Sequence, residues 1–312
     1  MAAHKEMTQA ITFGLGIPCK NGAPFLPRLF ASIHAQTKPF DEIWLFDDGS
    51  EDSSRAIAAS FGARVLSSPV SLGPSAARNR LITACSCEWL HFHDADDTMA
   101  PTYLERVAAC VRPEIDLVVC NMLWIDEKTG RIENHWRYNA HAFARNPAAY
   151  LIVNTIGGIN GLYRRSALLS AGAFDESLKF WEDTELNLRL AKHGAKADVV
   201  EEDLVTAYRR GASYSNSNLV NVWLVKLQLI DGLRSDPDQF LRQTIAIEAE
   251  AIANRLARLD AWSEIPHALK VASLAGGNPP TTNNWLLRVL KRILPLSWTF
   301  RLQVKIRRLL EK

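Results

Sequence analysis

Short apolar runs alternate with stretches of helical period along the first part of the chain. Ile11–Ile17 is apolar and stops at Pro18 and Asn21-Gly22, which predicts a buried strand ending in a loop. Pro24–Ala35 then carries Leu26, Leu29, Phe30 and Ile33 at helical spacing. Glu42–Phe46 reads as a second strand, and Asp52–Phe61 as a helix with Ser50 as candidate N-cap. Ala63–Leu66, Trp89–His93 and Asp116–Trp124 are further strands, with helices at Pro74–Ala84 and Pro101–Val111. Strands that alternate with helices predict an α/β fold with a mostly parallel sheet and helices on both faces.

From Ala148 to Ser217 the pattern loosens around Gly157, Gly158 and Gly161, with helical spacing at Ser166–Ala171 and Asp183–Gly194. Val220–Leu233 and Pro237–Trp262 then read as helices, the second with Phe240, Ile247, Ile252, Leu256 and Leu259 near the 3.6 period. Gly276–Asn284 has linker composition. The expected organisation is a flexible N-terminus over 1–10, an α/β domain over 11–216, a helical extension over 217–283 and a tail over 284–312.

Charge sharpens the picture only at that tail. The chain has a formal net charge of +2, yet residues 284–312 alone hold eight Lys/Arg and one Glu. Leu302, Ile306, Leu309 and Leu310 share one helical face there, beside Arg301, Lys305, Arg308 and Lys312. That pattern suits an amphipathic helix on an anionic bilayer, or a helix docked on protein with its basic face in water. Nothing in the pattern calls for nucleic acid. The N-terminus lacks the apolar core of a secretory signal, and no run approaches the ~18 apolar residues of a spanning helix. Five cysteines, with Cys85 and Cys87 in a C-x-C spacing, fit neither a disulfide framework nor a common zinc pattern. Reduced thiols and a cytoplasmic protein, held at most on the inner face of the membrane, are expected.

The chemistry-bearing residues stand where strands end, the place at which parallel sheets bind ligands. Asp94, Asp96 and Asp97 follow the WLHF strand, and three carboxylates so close repel one another without a cation. Mg²⁺ or Mn²⁺ takes carboxylate oxygen and keeps positions open for phosphate. Asp47 and Asp48 follow EIWLF, where a carboxylate could accept from a base N–H or from ribose hydroxyls. Arg78 opens a helix after Gly73-Pro74, a setting that suits phosphate or a nucleobase. Glu182 and Asp183 follow Phe180 and Trp181, as a general base in a partly dry site would. Each of these alone also reads as a solvated turn, a cap or a surface arginine.

Together, and in this order, IPCKNGAPFLPRLFASIHAQT, EIWLFDDGSEDSS, LGPSAARNR, HFHDADD and GLYRRSALLSAGAFDESLKFWEDTELNLRLAKHG resemble the inverting family 2 glycosyltransferases of GT-A fold. The resemblance covers roughly residues 11–216. It implies that Asp47 faces the nucleobase, with the Pro18 and Asn21 loop against it and Asp48 beside it. It implies that Arg78 holds the nucleotide, that Asp94 contacts the ribose or joins the metal shell, and that Asp96 binds the metal. Asp183 matches the catalytic base, paired with Glu182, and Gly157 and Gly158 match a loop near the donor sugar and acceptor. Where many relatives carry Tyr-Arg-x-His, this chain has Tyr208-Arg209-Arg210, so Arg210 takes the histidine's place and would meet the diphosphate.

The activity so implied is transfer of a sugar from a nucleotide diphosphate, UDP in the usual case, to the hydroxyl of a saccharide or lipid-linked acceptor. Bacterial surface polysaccharide or glycolipid synthesis is the setting that analogy suggests. The alternative is a nucleotide-sugar-binding assembly subunit without turnover. A sugar nucleotidyltransferase would need an early Gly-rich loop with arginine, and a Rossmann dehydrogenase would need G-x-G-x-x-G. Gly14-Leu15-Gly16-Ile17-Pro18 is neither.

Overall fold

The computed structural model describes residues 10–210 and 218–276. The expectations for the N-terminus and for the tail at 284–312 lie outside the described residues, as does most of the segment that follows Arg210. The described chain forms two compact units, 10–145 with 156–210, and 146–155 with 218–276. The ten residues 146–155, read from sequence as part of the α/β domain, thus fall in the second unit.

The first unit is built on one nine-stranded sheet. Its first half is β1 (Phe13–Cys19), β2 (Glu42–Asp48), β3 (Arg64–Ser68) and β4 (Trp89–Phe92), wound with α1 (Leu26–His34), α2 (Ser54–Ser60) and α3 (Pro74–Ala84). These strands lie parallel in the order β3-β2-β1-β4. The near-continuous apolar sequences of β1 and β4 follow from burial on both faces, whereas β3 is a half-exposed edge. The face predicted for α1 is the one buried: Leu26, Leu29, Phe30 and Ile33. The absence of a side chain at Gly16 lets α3 come close, since a Cβ there would stand 3.3 Å from Leu81 and Phe92.

The second half of the sheet departs from the expectation of strand and helix in turn. β5 (Thr98–Met99) and α4 (Tyr103–Ala108) lead to β6 (Leu117–Asp126) and β7 (Ile132–Trp136), and α5 (Ala140–Arg145) follows. β8 (Gly161–Arg164) inserts between β4 and β6, antiparallel to both. α7 (Arg165–Ser170) and α8 (Glu182–Lys192) precede β9 (Ala197–Arg209), which runs parallel to β6 with register slips between Cys120 and Met122. β5 and β7 are also antiparallel to their neighbours. The sheet is therefore mixed, with its parallel strands in the majority.

Helix starts need one correction. Ser50 is not the N-cap of α2; the helix begins at Ser54, and the Ser50 hydroxyl accepts from the Asn21 amide at 2.8 Å.

The second unit is helical. α6 (Pro147–Val153) is capped by Asn146, whose side chain accepts from the Ala149 amide, and packs on the helix Gln239–Arg258. Helices Leu219–Asp231 and Ile265–Leu274 complete the unit. The buried face of Gln239–Arg258 runs through Leu241, Ile245, Ala249, Ile252 and Leu256. Phe240 and Ile247, assigned to that face from the sequence, are instead exposed. Lys226 is buried against Glu248 at 2.8 Å, and Arg255 reaches the same carboxylate oxygen at 3.0 Å. This ion triad pins the pairing of two helices. Among the described residues no helix is long and apolar enough to cross a membrane.

Candidate functional site

The carboxyl ends of β1, β2 and β4 lie side by side, with Cys19 opposite Asp47 in the register. Asp47 ends β2 fully buried, and neither of its oxygens has a hydrogen-bond partner. The nearest cation is Arg55, 3.6 Å away. A buried carboxylate without donors costs free energy until a donor arrives. Asp47 is therefore suited to accept from a ligand N–H. Its neighbour Asp48, named as a ligand contact from the sequence, is spent on the chain itself. It accepts from the Ser71 hydroxyl at 2.7 Å, the Leu72 amide at 2.6 Å and the Gly73 amide at 3.0 Å. Asp48 thus fixes the loop that feeds α3, with two of these bonds on Oδ2 and one on Oδ1.

The loop after Pro18 is fastened to the turn after β2. The amides of Asn21, Gly22 and Ala23 donate to the side chains of Ser50, Ser54 and Asp52 at 2.8–3.0 Å. Asn21, at φ 51°, returns the favour by accepting from the Glu51 amide at 3.0 Å. Asn21 thereby sets the shape of the Pro18 wall.

Arg78 is the hub of the site. Its side chain, 5% exposed, leaves the first turns of α3 and reaches Glu182 at 2.9 Å, Asp94 at 3.1 Å and Asp183 at 3.7 Å. Three segments far apart in sequence are thus held on one guanidinium. Gly158 lies flat on it: a Cβ there would stand 2.7 Å from Nη2. Only glycine allows that approach. Gly157 is less confined, with a Cβ meeting Trp136 and Asn160 at 3.4 Å.

Asp183 is not the N-cap of α8. Trp181 holds that position in a left-handed conformation, φ 63°, and makes no side-chain cap bond. A non-glycine residue in that region is strained by of order 1–3 kcal/mol. The turn it makes aims Glu182 and Asp183 at Arg78. Burial pushes the Asp183 carboxyl up to about 8, with Glu182 and Asp94 adding to the rise and Arg78 opposing it. Its Oδ1 is buried and lacks a hydrogen-bond partner. A carboxyl so poised can take a proton near neutral pH.

The Asp94–Asp97 turn is pinned from below. Asp97 accepts from the Tyr208 amide at 2.9 Å, and burial with Asp96 and Asp94 nearby holds its carboxyl well above the usual range. Beneath it, His91 Nδ1 lies 2.9 Å from the Gly161 carbonyl and 2.7 Å from the Tyr103 hydroxyl, and Nε2 meets His93 at 3.1 Å. Burial keeps both histidines neutral, His93 down at about 3.

Asp94 and Asp96 remain half-exposed, each giving one oxygen to an arginine, Arg78 or Arg210. Burial and then the charge of Asp94 raise the Asp96 carboxyl, with Arg210 opposing the rise. At this corner stand six carboxylates, of Asp94, Asp96, Asp97, Glu127, Glu182 and Asp183, and three guanidiniums, of Arg28, Arg78 and Arg210. Hard oxygen donors in surplus fit a divalent cation such as Mg²⁺ or Mn²⁺.

Sequence reading missed the surroundings of Arg210. The guanidinium binds Asp96 at 3.0 Å and also Glu127, and it stacks on Phe25 at 3.7 Å. Arg28 meets Glu127 at 2.9 Å and the Asp96 carbonyl at 2.6 Å, and lies 3.8 Å from the Tyr208 ring centroid. Even the nearest of these partners, Arg28 and Asp96, are 68 positions apart, beyond any local pattern. Among the described residues, one compact trio of other metal-type ligands lies at the far end of the sheet: Glu42, Cys85 and Cys87. Glu42 there already accepts from Trp44 and Ser86, and burial pushes the Cys85 thiol up to about 12. All five cysteines are free thiols.

Comparison with known proteins bears on family and fold. The model of the family described as "Glycosyl transferase family 2" matches residues 15–170. The minor teichoic acid biosynthesis protein GgaA of Bacillus subtilis is 31% identical over 60% of this chain and 45% of its own length. The pre-mycofactocin glycosyltransferase of Mycobacterium tuberculosis is 27% identical over 62% of this chain and 41% of its own. The match thus spans less than half of these relatives. A solved fragment of Staphylococcus aureus TarS, in complex with UDP-GlcNAc, overlays 84% of this chain and 79% of its own with a TM-score of 0.63 at 19% identity. The fold they share is GT-A.

Proposed function

This chain belongs to glycosyl transferase family 2, and from that premise we propose that it moves a sugar from a UDP-linked donor to an acceptor hydroxyl with inversion at the anomeric carbon. The observation that carries the reading is the Arg78 hub, which gathers Asp94 with the Glu182-Asp183 pair in one buried cluster. Asp47 receives the N–H of the base, against the wall made by Pro18 and Asn21. Arg78 and Arg210 face the diphosphate and offset the charge that grows on it as the sugar departs. Asp94 and Asp96 would hold Mn²⁺ or Mg²⁺, which supplies further charge stabilisation to the leaving group when bound. Asp183 takes the acceptor proton as its oxygen attacks from the face opposite the diphosphate, and Glu182 keeps Arg78 in place. One base suffices for a single displacement. Gly157 and Gly158 border the space for donor sugar and acceptor.

Hydrolysis and binding test this reading. With Mn²⁺ present, the protein is expected to hydrolyse a UDP-sugar slowly without acceptor, and Asp96→Ala is expected to lose metal-dependent UDP binding while remaining folded. Asp96 is half-exposed in a turn, so its removal leaves the core untouched. Absence of hydrolysis in the parent would point to a binding subunit. Unchanged calorimetry with UDP and Mn²⁺ in the variant would remove Asp96 from the metal site.

The names of the relatives, teichoic acid and succinoglycan biosynthesis proteins, support a saccharide or lipid-linked acceptor in surface polymer synthesis. The basic residues of 284–312 suit the surface of an anionic bilayer, where each Lys or Arg contributes roughly 1 kcal/mol. The full chain is expected to sediment with anionic vesicles at low salt and a chain ending at Asn283 is not. Equal sedimentation of the two would assign the tail to protein packing.

A further inference from the structure

The arginine that stands where relatives carry histidine is bound to the acid expected to hold the metal. Arg210 Nη1 lies 3.0 Å from Asp96 Oδ2, its Nε pairs with Glu127, and its plane stacks on Phe25. The third nitrogen, Nη2, is buried without a hydrogen-bond partner. Arg28 braces the arrangement by holding Glu127 at 2.9 Å and the Asp96 carbonyl at 2.6 Å. A guanidinium so stacked and anchored keeps its place when one of its contacts is removed, and its unpartnered Nη2 is a donor awaiting an anion.

We propose that Arg210 is a resident cation of the Asp94–Asp96 site: it neutralises Asp96 in the empty enzyme, and it yields that carboxylate to a divalent ion and turns to the diphosphate when the two arrive together. The inference rests on the reading of Asp96 as a metal ligand. Two cations compete for one carboxylate, so the free ion binds weakly on its own. The nucleotide diphosphate reverses the balance, because it accepts the hydrogen bonds that Arg210 gives up. Metal and nucleotide are thereby coupled through a single side chain, with Glu127 and Phe25 as its fixed mount. Such coupling is reciprocal, each ligand strengthening the other by the same factor.

The test is Mn²⁺ binding itself, followed by electron paramagnetic resonance without and with UDP, on the parent, Arg210→Gln and Arg210→Lys. Without UDP, Arg210→Gln is expected to bind Mn²⁺ roughly two- to fivefold more tightly than the parent, on the scale of one half-exposed ion pair. Arg210→Lys keeps the charge and is expected to stay close to the parent, which separates charge from any loss of packing. The enhancement of Mn²⁺ binding by UDP is expected to shrink in Arg210→Gln. Equal or weaker Mn²⁺ binding by Arg210→Gln overturns the proposal while leaving the metal site standing. A parent that binds no Mn²⁺ even with UDP overturns the metal site and this proposal with it.

Discussion

Asp183→Asn is expected to slow sugar transfer by about 10²–10⁴-fold, the usual worth of a positioned general base. The amide fills the same space, so donor binding is expected to survive. The pH profile gives a second readout. Burial raises the Asp183 carboxyl to about 8, so below that pH the free enzyme holds the proton that the base must be without. The parent's kcat/KM should therefore climb with pH and level off above about 8, and this limb should vanish in Asp183→Asn. Near-normal turnover, or a limb that persists in the variant, would move the role to another group.

Arg78→Met is expected to cost about 3–5 kcal/mol of unfolding free energy, the range for breaking a buried ion pair by removing one partner. The side chain is 5% exposed, and three carboxylates converge on it. Methionine replaces the aliphatic stem and ends near the position of Nε, so the variant lacks the guanidinium, its charge and its hydrogen bonds to Glu182 and Asp94 alike. Lowering the pH protonates the carboxyls and relieves the repulsion, so the deficit should be larger at pH 8 than at pH 5. Urea midpoints at the two pH values measure this. A midpoint equal to the parent's at pH 8 would mean that the hub does not hold the cluster together.

The sequence announced the acids but not their allegiances. Asp47 and Asp48 are adjacent and chemically alike, yet alternation along β2 sends one to a donor-free pocket and the other to the 71–73 loop. Strands β1 and β4 were legible because burial on both faces makes them continuous apolar runs, and β2 and β3 because short apolar stretches end at polar turns. β8 was not, since Gly161–Arg164 is short and begins at a glycine that reads as a turn. β9 was missed because Glu201, Glu202 and Asp203 interrupt its alternation where the register slips against β6. The Arg210 mount draws on Phe25, Arg28, Asp96, Glu127 and Tyr208, which only the sheet order brings together. Trp181 gave no sign of its left-handed turn, because that conformation is imposed by the fold and not by residue type.

Apart from the Asn21 side chain on the Glu51 amide, the Pro18 wall is joined to the turn after β2 through its own main chain and the side chains of the turn. Asn21, Gly22 and Ala23 offer backbone amides, whereas Ser50, Asp52 and Ser54 supply the oxygens. The two sides therefore differ in how freely they can change over generations. A substitution at Lys20 or Ala23, proline apart, leaves every amide in place. A substitution at Ser54 unfastens the wall whatever its pocket-facing residues are. Positions 20 and 23 can thus change with no second mutation needed to restore the frame, whereas Asn21, whose side chain accepts from the Glu51 amide, and Gly22, where a Cβ would stand 2.7 Å from Cys19 Sγ, cannot.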